Sequence, residues 1–249
     1  MEQKPIIQLK NVTVRYGDRT IIENVTADIM PGEIFVIVGG SGCGKSTLLR
    51  QIIGLEQPTE GQVIVNGQDF CAASGEEHRQ ILRNFGVLFQ SNGLFASMTL
   101  AENIELVLKE YTHLNDSDRD EVIEMNLRSV GLAGFGDFTS SEISGGMRKR
   151  AALARAMALN PSILCFDEPS SGLDPVTAGS LDKLIKNLNS VLGTTMIVVT
   201  HDLDSILSIS HRILMLDAKV KGILAMGTAD EMKNYTKDPH VFNFFNRIA

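Results

Sequence analysis

Residues 39–46, GGSGCGKS, constrain this chain more than any other stretch. They follow the spacing GxxxxGK[ST]. Ahead of them runs IFVIV, short and rich in β-branched residues. Behind them TLLRQIIGL has the helical period. A strand, a glycine loop and a helix in that order wrap backbone N–H groups around phosphate oxygens. Gly39, Gly40, Ser41, Gly42, Cys43 and Gly44 form the loop, and side chains at the glycines would block the approach. The helix start adds partial positive charge. Lys45 is expected to reach the β- and γ-phosphates of a nucleotide. The Ser46 hydroxyl is expected to ligate Mg²⁺, and Thr47 to touch the α-phosphate.

Such a loop needs a sheet around it, and the flanking sequence supplies one. IIQLKNVTV and IIENVTADIM read as strands on either side of a Gly17-Asp18 turn, and GQVIVNG as another between glycines. From residue 91 to 141 the helical period takes over. Thr99 and Glu102 form a Thr-x-x-Glu capping box, followed by Ile104, Val107, Leu108 and Tyr111 on one face. Val122, Ile123, Asn126, Leu127 and Val130 continue helically to Gly131. This stretch reads as a helical lobe set into an α/β core. Alternation then returns: AALARAMAL helical, ILCFD a strand, LDKLIKNLNSVLG helical, TMIVVT a strand, LDSILSIS helical, HRILMLD a strand.

Composition excludes several classes. Of 249 residues, 43% are hydrophobic and 21% charged, ordinary globular values that exclude disorder and coiled coil. The balance of 23 basic to 30 acidic residues gives −7, which argues against nucleic acid as a partner. Cys43, Cys71 and Cys165 form no CxxC pair and the five histidines no HxxxH, so no zinc site is expected and a reducing compartment fits. Apolar runs such as IFVIV and MIVV fall far short of the roughly 20 residues of a membrane span. The N-terminus lacks a signal peptide's apolar region. Any membrane role is therefore expected to be peripheral.

Asp167 and Glu168 close the strand ILCFD, where a carboxylate sits at the sheet's C-terminal edge, beside the phosphate loop. Asp167 is expected to hold Mg²⁺. Glu168, one residue on, is placed to polarise an attacking water.

Taken together, these motifs resemble those of the nucleotide-binding subunits of ABC transporters, in order and over nearly the whole chain. The resemblance implies an α/β fold: a P-loop NTPase core with an N-terminal antiparallel β subdomain and an inserted α-helical subdomain. It implies one cassette over residues 1–249, with core at 1–90 and 142–249 and the helical subdomain at 91–141. By resemblance, Tyr16 stacks on adenine, Gln90 contacts Mg²⁺ and senses the membrane partner, and His201 contacts the γ-phosphate. Ser144, Gly145, Gly146 and Met147 match the family signature, which closes on ATP held by the other subunit. Ser171, Gly172, Leu173 and Asp174 match the loop after the catalytic glutamate. ATP and Mg²⁺ are the implied cofactors, a homodimer sandwiching two Mg·ATP the implied state, and permease subunits the implied partners of the helical lobe.

Met147 departs from the common signature, which ends in glutamine; it removes a polar contact but leaves serine and glycines intact. SGGMRKRAALARAMALNPSILCFDEPSSGLDP, LFQSNGLFASMTLAENIELVLKE and Asp238-Pro239-His240-Val241 with Phe242, Phe244 and Phe245 resemble the ATPases of Mce-domain lipid transporters, including the Mla type. That resemblance implies phospholipid transport between bacterial envelope membranes, a place on the cytoplasmic face of the inner membrane, an Mce-domain lipid-binding protein and a STAS-domain regulatory subunit. Some Mla-type ATPases carry a C-terminal extension reaching the other subunit; with the sequence ending at Ala249, such an exchange is expected to be short or absent. Transport of another solute, or cell-division-type signalling without transport, is the alternative.

Three features stand outside this scheme. Arg148, Lys149 and Arg150 are too few for the clusters of about 4–8 cations expected of lipid recognition, and read as a solvated helix start. Cys43 reads as a spacer in the loop rather than a redox switch. Phe242, Phe244 and Phe245 suit either a partner surface or a packed tail.

Overall fold

A computed structural model describes residues 4–248. The chain opens with β1 (Ile7–Tyr16) and β2 (Arg19–Ile29), an antiparallel pair joined at Gly17-Asp18. Next come β3 (Ile34–Gly39), α1 (Lys45–Ile52), β4 (Glu60–Val65) and β5 (Gln68–Asp69). β1, β2, β4 and β5 form a four-stranded antiparallel sheet in the order β2-β1-β4-β5. The expected antiparallel β unit is therefore present, and β3 leaves it for a second sheet.

After α2 (Gly75–Leu82) and β6 (Phe85–Leu88), two helices follow, α3 (Leu100–Tyr111) and α4 (Asp116–Ser129). The Thr99–Glu102 capping box opens α3 in both directions, and Asn115 caps α4. Gly131, at φ +74°, lies just past the end of α4. Ile104 and Leu108 are buried as the period predicts, but Tyr111 is 49% exposed.

α5 (Gly145–Met157), β7 (Ile163–Asp167), α6 (Pro175–Leu192), β8 (Thr195–Val199), α7 (Leu203–Ile209), β9 (Arg212–Asp217), β10 (Gly222–Gly227), α8 (Ala229–Lys233) and α9 (Pro239–Asn246) complete the chain. The second sheet has the order β10-β9-β3-β8-β7-β6, parallel throughout except for β10. Its central strands are buried on both faces, which is why they read as continuous apolar runs. Successive side chains feed opposite cores. Val36, Val38, Leu164 and Phe166 pack with α5, α6 and the helices α3 and α4. Phe35, Ile37, Ile163 and Cys165 pack with α1 and the antiparallel sheet.

Two contacts fix the sheet. Arg212 meets Glu33 in a paired bond, Nε to Oε2 at 2.9 Å and Nη2 to Oε1 at 2.6 Å, tying the start of β9 to the approach of β3. At Gly86, an added Cβ would lie 2.1 Å from the carbonyl oxygen of Ala156, so β6 and α5 touch backbone to backbone.

The structure corrects one expectation and decides another. The run Arg148–Arg150 is not solvated: Lys149 is buried, and Arg148 and Arg150 are half-buried with hydrogen bonds to the carbonyls of Ser140, Ile143 and Val130 and to Ser180. The phenylalanine tail packs: Phe245 is buried in α9 against Phe244, and α9 lies on α8.

Candidate active site

β3 delivers the chain into the glycine loop, and α1 begins at Lys45. Gly39 has φ +145°, and a Cβ there would lie 2.3 Å from the Leu216 carbonyl oxygen of neighbouring β9. Gly44, the residue before α1, has φ +102°, with a Cβ meeting Ile22 of β2 at 2.5 Å. Glycine is thus required at both ends of the loop by the two sheets that clasp it. The Lys45 ammonium donates to the carbonyls of Gly39 at 2.9 Å and Gly40 at 3.1 Å. Together with Arg19, Ser46 and Thr47 it lines a cavity of ≈ 270 Å³. Cys43 is buried, and desolvation pushes its thiol up, as suits a spacer.

The tips of the parallel strands bring the carboxylates here. Ser46 Oγ donates to Asp167 Oδ1 at 3.2 Å, joining α1 to the end of β7. Burial pushes the Asp167 carboxyl up, the Ser46 hydrogen bond opposing it. Glu168 leaves the strand in the left-handed region, φ +50°, its N–H bonded to the Val199 carbonyl of β8 at 2.8 Å. That turn carries its side chain to His201, Oε1 to Nδ1 at 2.8 Å; His201 is largely exposed, while Glu168 is largely covered. A carboxylate only accepts, so Nδ1 carries the proton in this bond.

Ser171 N–H returns to the Glu168 carbonyl at 3.1 Å, and Ser171 Oγ accepts from the Gln90 amide at 3.3 Å. Gly172 has φ +79°, Leu173 packs on the core, and Asp174 caps α6, accepting from Val176 and Thr177, both at 3.0 Å. Tyr16, at the end of β1, is 48% exposed and so no packing residue; its hydroxyl donates to Glu56, which holds its phenol pKa up.

Hydrogen bonds or chain adjacency therefore link Lys45, Ser46, Asp167, Glu168, His201, Ser171 and Gln90. Ser144 to Met147 stand apart. Ser144 caps α5, accepting from the Met147 N–H at 3.2 Å, and among the described residues no hydrogen bond joins this segment to the glycine loop. A larger cavity, ≈ 560 Å³, lies between α4 and α6, but its lining carries no titratable group.

Three residues of the site escape sequence reasoning. Lys149 donates to the Gln90 carbonyl at 2.7 Å; burial lowers its ammonium pKa, with Asp167 and Glu168 opposing. Arg155 donates to the Gly93 carbonyl at 2.6 Å. Glu56 gathers Tyr16, Arg50 and Gln51. In the sequence Lys149 stands only as one of the adjacent cations Arg148 to Arg150, and Arg155 as a single cation inside AALARAMAL.

The ABC transporter family profile matches residues 22–171, from β2 through the glycine loop and Asp167-Glu168 to Ser171. The chain belongs to the ABC transporter family. Among its relatives, the intermembrane phospholipid transport system ATP-binding protein MlaF of Haemophilus influenzae is 41% identical over 228 residues, 91% of this chain and 85% of that protein. The probable ribonucleotide transport ATP-binding protein mkl of Mycobacterium leprae is 40% identical over 240 residues, 96% of this chain and 68% of that protein. Among solved structures, the dimeric ATP-binding cassette MJ0796, in a post-hydrolysis state with ADP and Pi, superposes with a TM-score of 0.79 at 33% identity, covering 89% of this chain and 98% of that one. The ABC fold is thus shared over both sheets, and this ABC chain is an ATPase cassette.

Proposed function

We propose that this ABC ATPase drives phospholipid transport between bacterial envelope membranes, as a homodimer around two Mg·ATP. The linked set Ser46–Asp167–Glu168–His201 carries the reading, with bonds of 3.2 and 2.8 Å at its two ends. The likeness to MlaF supports the cargo, and the dimeric cassette supports the two-subunit state.

Lys45 and the N–H groups of the loop hold the phosphates, Lys45 exchanging its carbonyl partners for them. Tyr16 offers its face to adenine. Glu168 takes the proton of the attacking water, and His201 meets the γ-phosphate once Glu168 turns to water. Ser144, Gly145 and Gly146 close on the ATP of the other subunit, in keeping with their separation from this chain's own loop. Ser171 to Asp174 lie at the seam. Phosphoryl transfer of this kind is positioning and electrostatics.

Mg²⁺ fits these residues. Among the described residues no cluster of three or more His, Cys, Asp or Glu forms a metal cage. Mg²⁺ needs none beside a nucleotide, since hydroxyl, amide and carboxylate oxygens and phosphates satisfy it. Ser46, Asp167 and Gln90 would hold it, and it would supply positive charge to offset that developing on the phosphates.

Residues 91–141 form the lobe that meets the permease, within one cassette whose core is 1–90 and 142–249. A groove of ≈ 270 Å³ between α2, β6 and α3, edged by Arg79, Arg83 and Arg155 over Phe85 and Val107, suits that contact. Among the described residues no helix is long and apolar enough to cross a membrane; in the proposed transporter the span is assigned to the permease. We place the subunit on the cytoplasmic face of the inner membrane, with an Mce-domain protein and a STAS-domain regulator in the complex.

The mycobacterial relative favours a second reading, transport of a polar solute. Purification with co-expressed membrane partners, followed by mass spectrometry of bound molecules, separates the two. Phospholipid retained in proportion to the complex is expected; a complex that retains none and whose ATPase responds to a nucleoside instead overturns the lipid assignment.

A further inference from the structure

Lys149 is 3% exposed, a burial that lysine tolerates only with a partner. Its partner is a backbone carbonyl, that of Gln90, at 2.7 Å. Gln90 is therefore held twice, its carbonyl on α5 and its amide on Ser171 Oγ at 3.3 Å. Two residues further, Arg155 of α5 donates to the carbonyl of Asn92 at 3.5 Å and of Gly93 at 2.6 Å. One helix thus grips residues 90–93 by bonds from charged donors, stronger than neutral ones. The same helix opens with Ser144, Gly145 and Gly146.

We propose that Lys149 is a positioning residue for ATP hydrolysis: by fixing the Gln90 carbonyl it sets where the Gln90 side chain stands, and makes that placement follow the helix that Ser144 caps. The inference rests on the ATPase reading above. Removing the ammonium leaves the Gln90 carbonyl without its donor. Arg155 keeps its hold on Asn92 and Gly93, so the loop shifts rather than unfolds. Gln90 then keeps one anchor of two, and the loss falls on turnover rather than on the glycine loop that binds ATP.

The test uses the complex purified with its co-expressed membrane partners. It compares Lys149→Met, Lys149→Arg, Gln90→Ala and the Lys149→Met/Gln90→Ala pair for ATP kcat, KM and thermal midpoint. Lys149→Met should lower kcat about tenfold with KM within about twofold, and should change kcat less than about twofold once Gln90 is alanine, because residues acting through one another are not additive. Lys149→Arg, which can donate to the same carbonyl, should recover most of the rate. Equal losses on both backgrounds, a rise in KM together with a fall in midpoint, or an unchanged kcat would overturn the proposal. A wild-type complex without ATPase activity, or one that Lys45→Ala leaves as fast, is a different failure: it removes the ATPase reading, and is recognised without any change at residue 149.

Discussion

Glu168 unites a strained backbone with the proposed chemistry, and the two can be separated by substitution. Its φ of +50° lies in the region that costs an L-residue roughly 1–2 kcal/mol. Glu168→Gln keeps the length and the strain and removes proton acceptance. Glu168→Ala also removes the contact with His201 but keeps the strain. Glu168→Gly removes both. The difference between the last two therefore isolates the backbone. Glycine recovers roughly 1–2 kcal/mol of strain and gives back about 0.5–1 kcal/mol of unfolded-chain entropy. Taken between the midpoints of these ranges, about 0.75 kcal/mol remains in its favour. At this chain length each kcal/mol moves the thermal midpoint by roughly 2–4 °C, so Glu168→Gly should melt about 1.5–3 °C above Glu168→Ala in a calorimetric scan. All three should lose roughly 10²–10⁴-fold in ATP turnover. Glu168→Gln should also accumulate as an ATP-bound dimer by light scattering. A glycine variant that melts below the alanine variant refutes the strain argument, and wild-type turnover in Glu168→Gln refutes the general base.

Further predictions follow from other contacts. Lys45→Ala should abolish ATP binding in titration calorimetry, while the glycine loop keeps its shape from the two sheets that clasp it. Gly86→Ala drives a methyl group into the Ala156 carbonyl and should cost about 1–3 kcal/mol in urea denaturation. Burial raises the Asp182 carboxyl pKa, a hydrogen bond from Ser205 at 2.7 Å opposing it. The folded chain then holds that proton more tightly than the unfolded one. Stability is fullest below the unfolded value of about 4 and falls as pH rises through the raised folded value. Asp182→Asn keeps an acceptor for Ser205, should flatten that slope in pH-resolved melting, and should exceed the wild type in stability at pH 7.

What could be read from the residues was what covalent order carries. The glycine loop, its strand and its helix are contiguous, so GGSGCGKS announced all three. Asp167 and Glu168 were legible because an apolar strand ends on them. Lys149 was not: its burial depends on a carbonyl 59 positions away, and in the chain it is one of three adjacent cations. Tyr111 kept the helical period yet faces outward, because α3 runs on to the edge of the groove. The short elements α2, β10, α8 and α9 have too few residues for a period to show. Glu56, in the loop after α1, could be tied to Tyr16 only once β1 was placed beside that loop.

The missing side chain at Gly86 has a mechanical meaning. Where strand and helix ordinarily meet, a layer of side chains lies between them, and such a layer can yield. Between β6 and α5 there is none at this point. β6 supplies the floor of the groove through Phe85 and Val87, and α5 runs from Ala156 back to its cap at Ser144, a rod of roughly 20 Å. A displacement imposed at the groove meets bare backbone, and the rod carries it to Ser144 with little slack to absorb it.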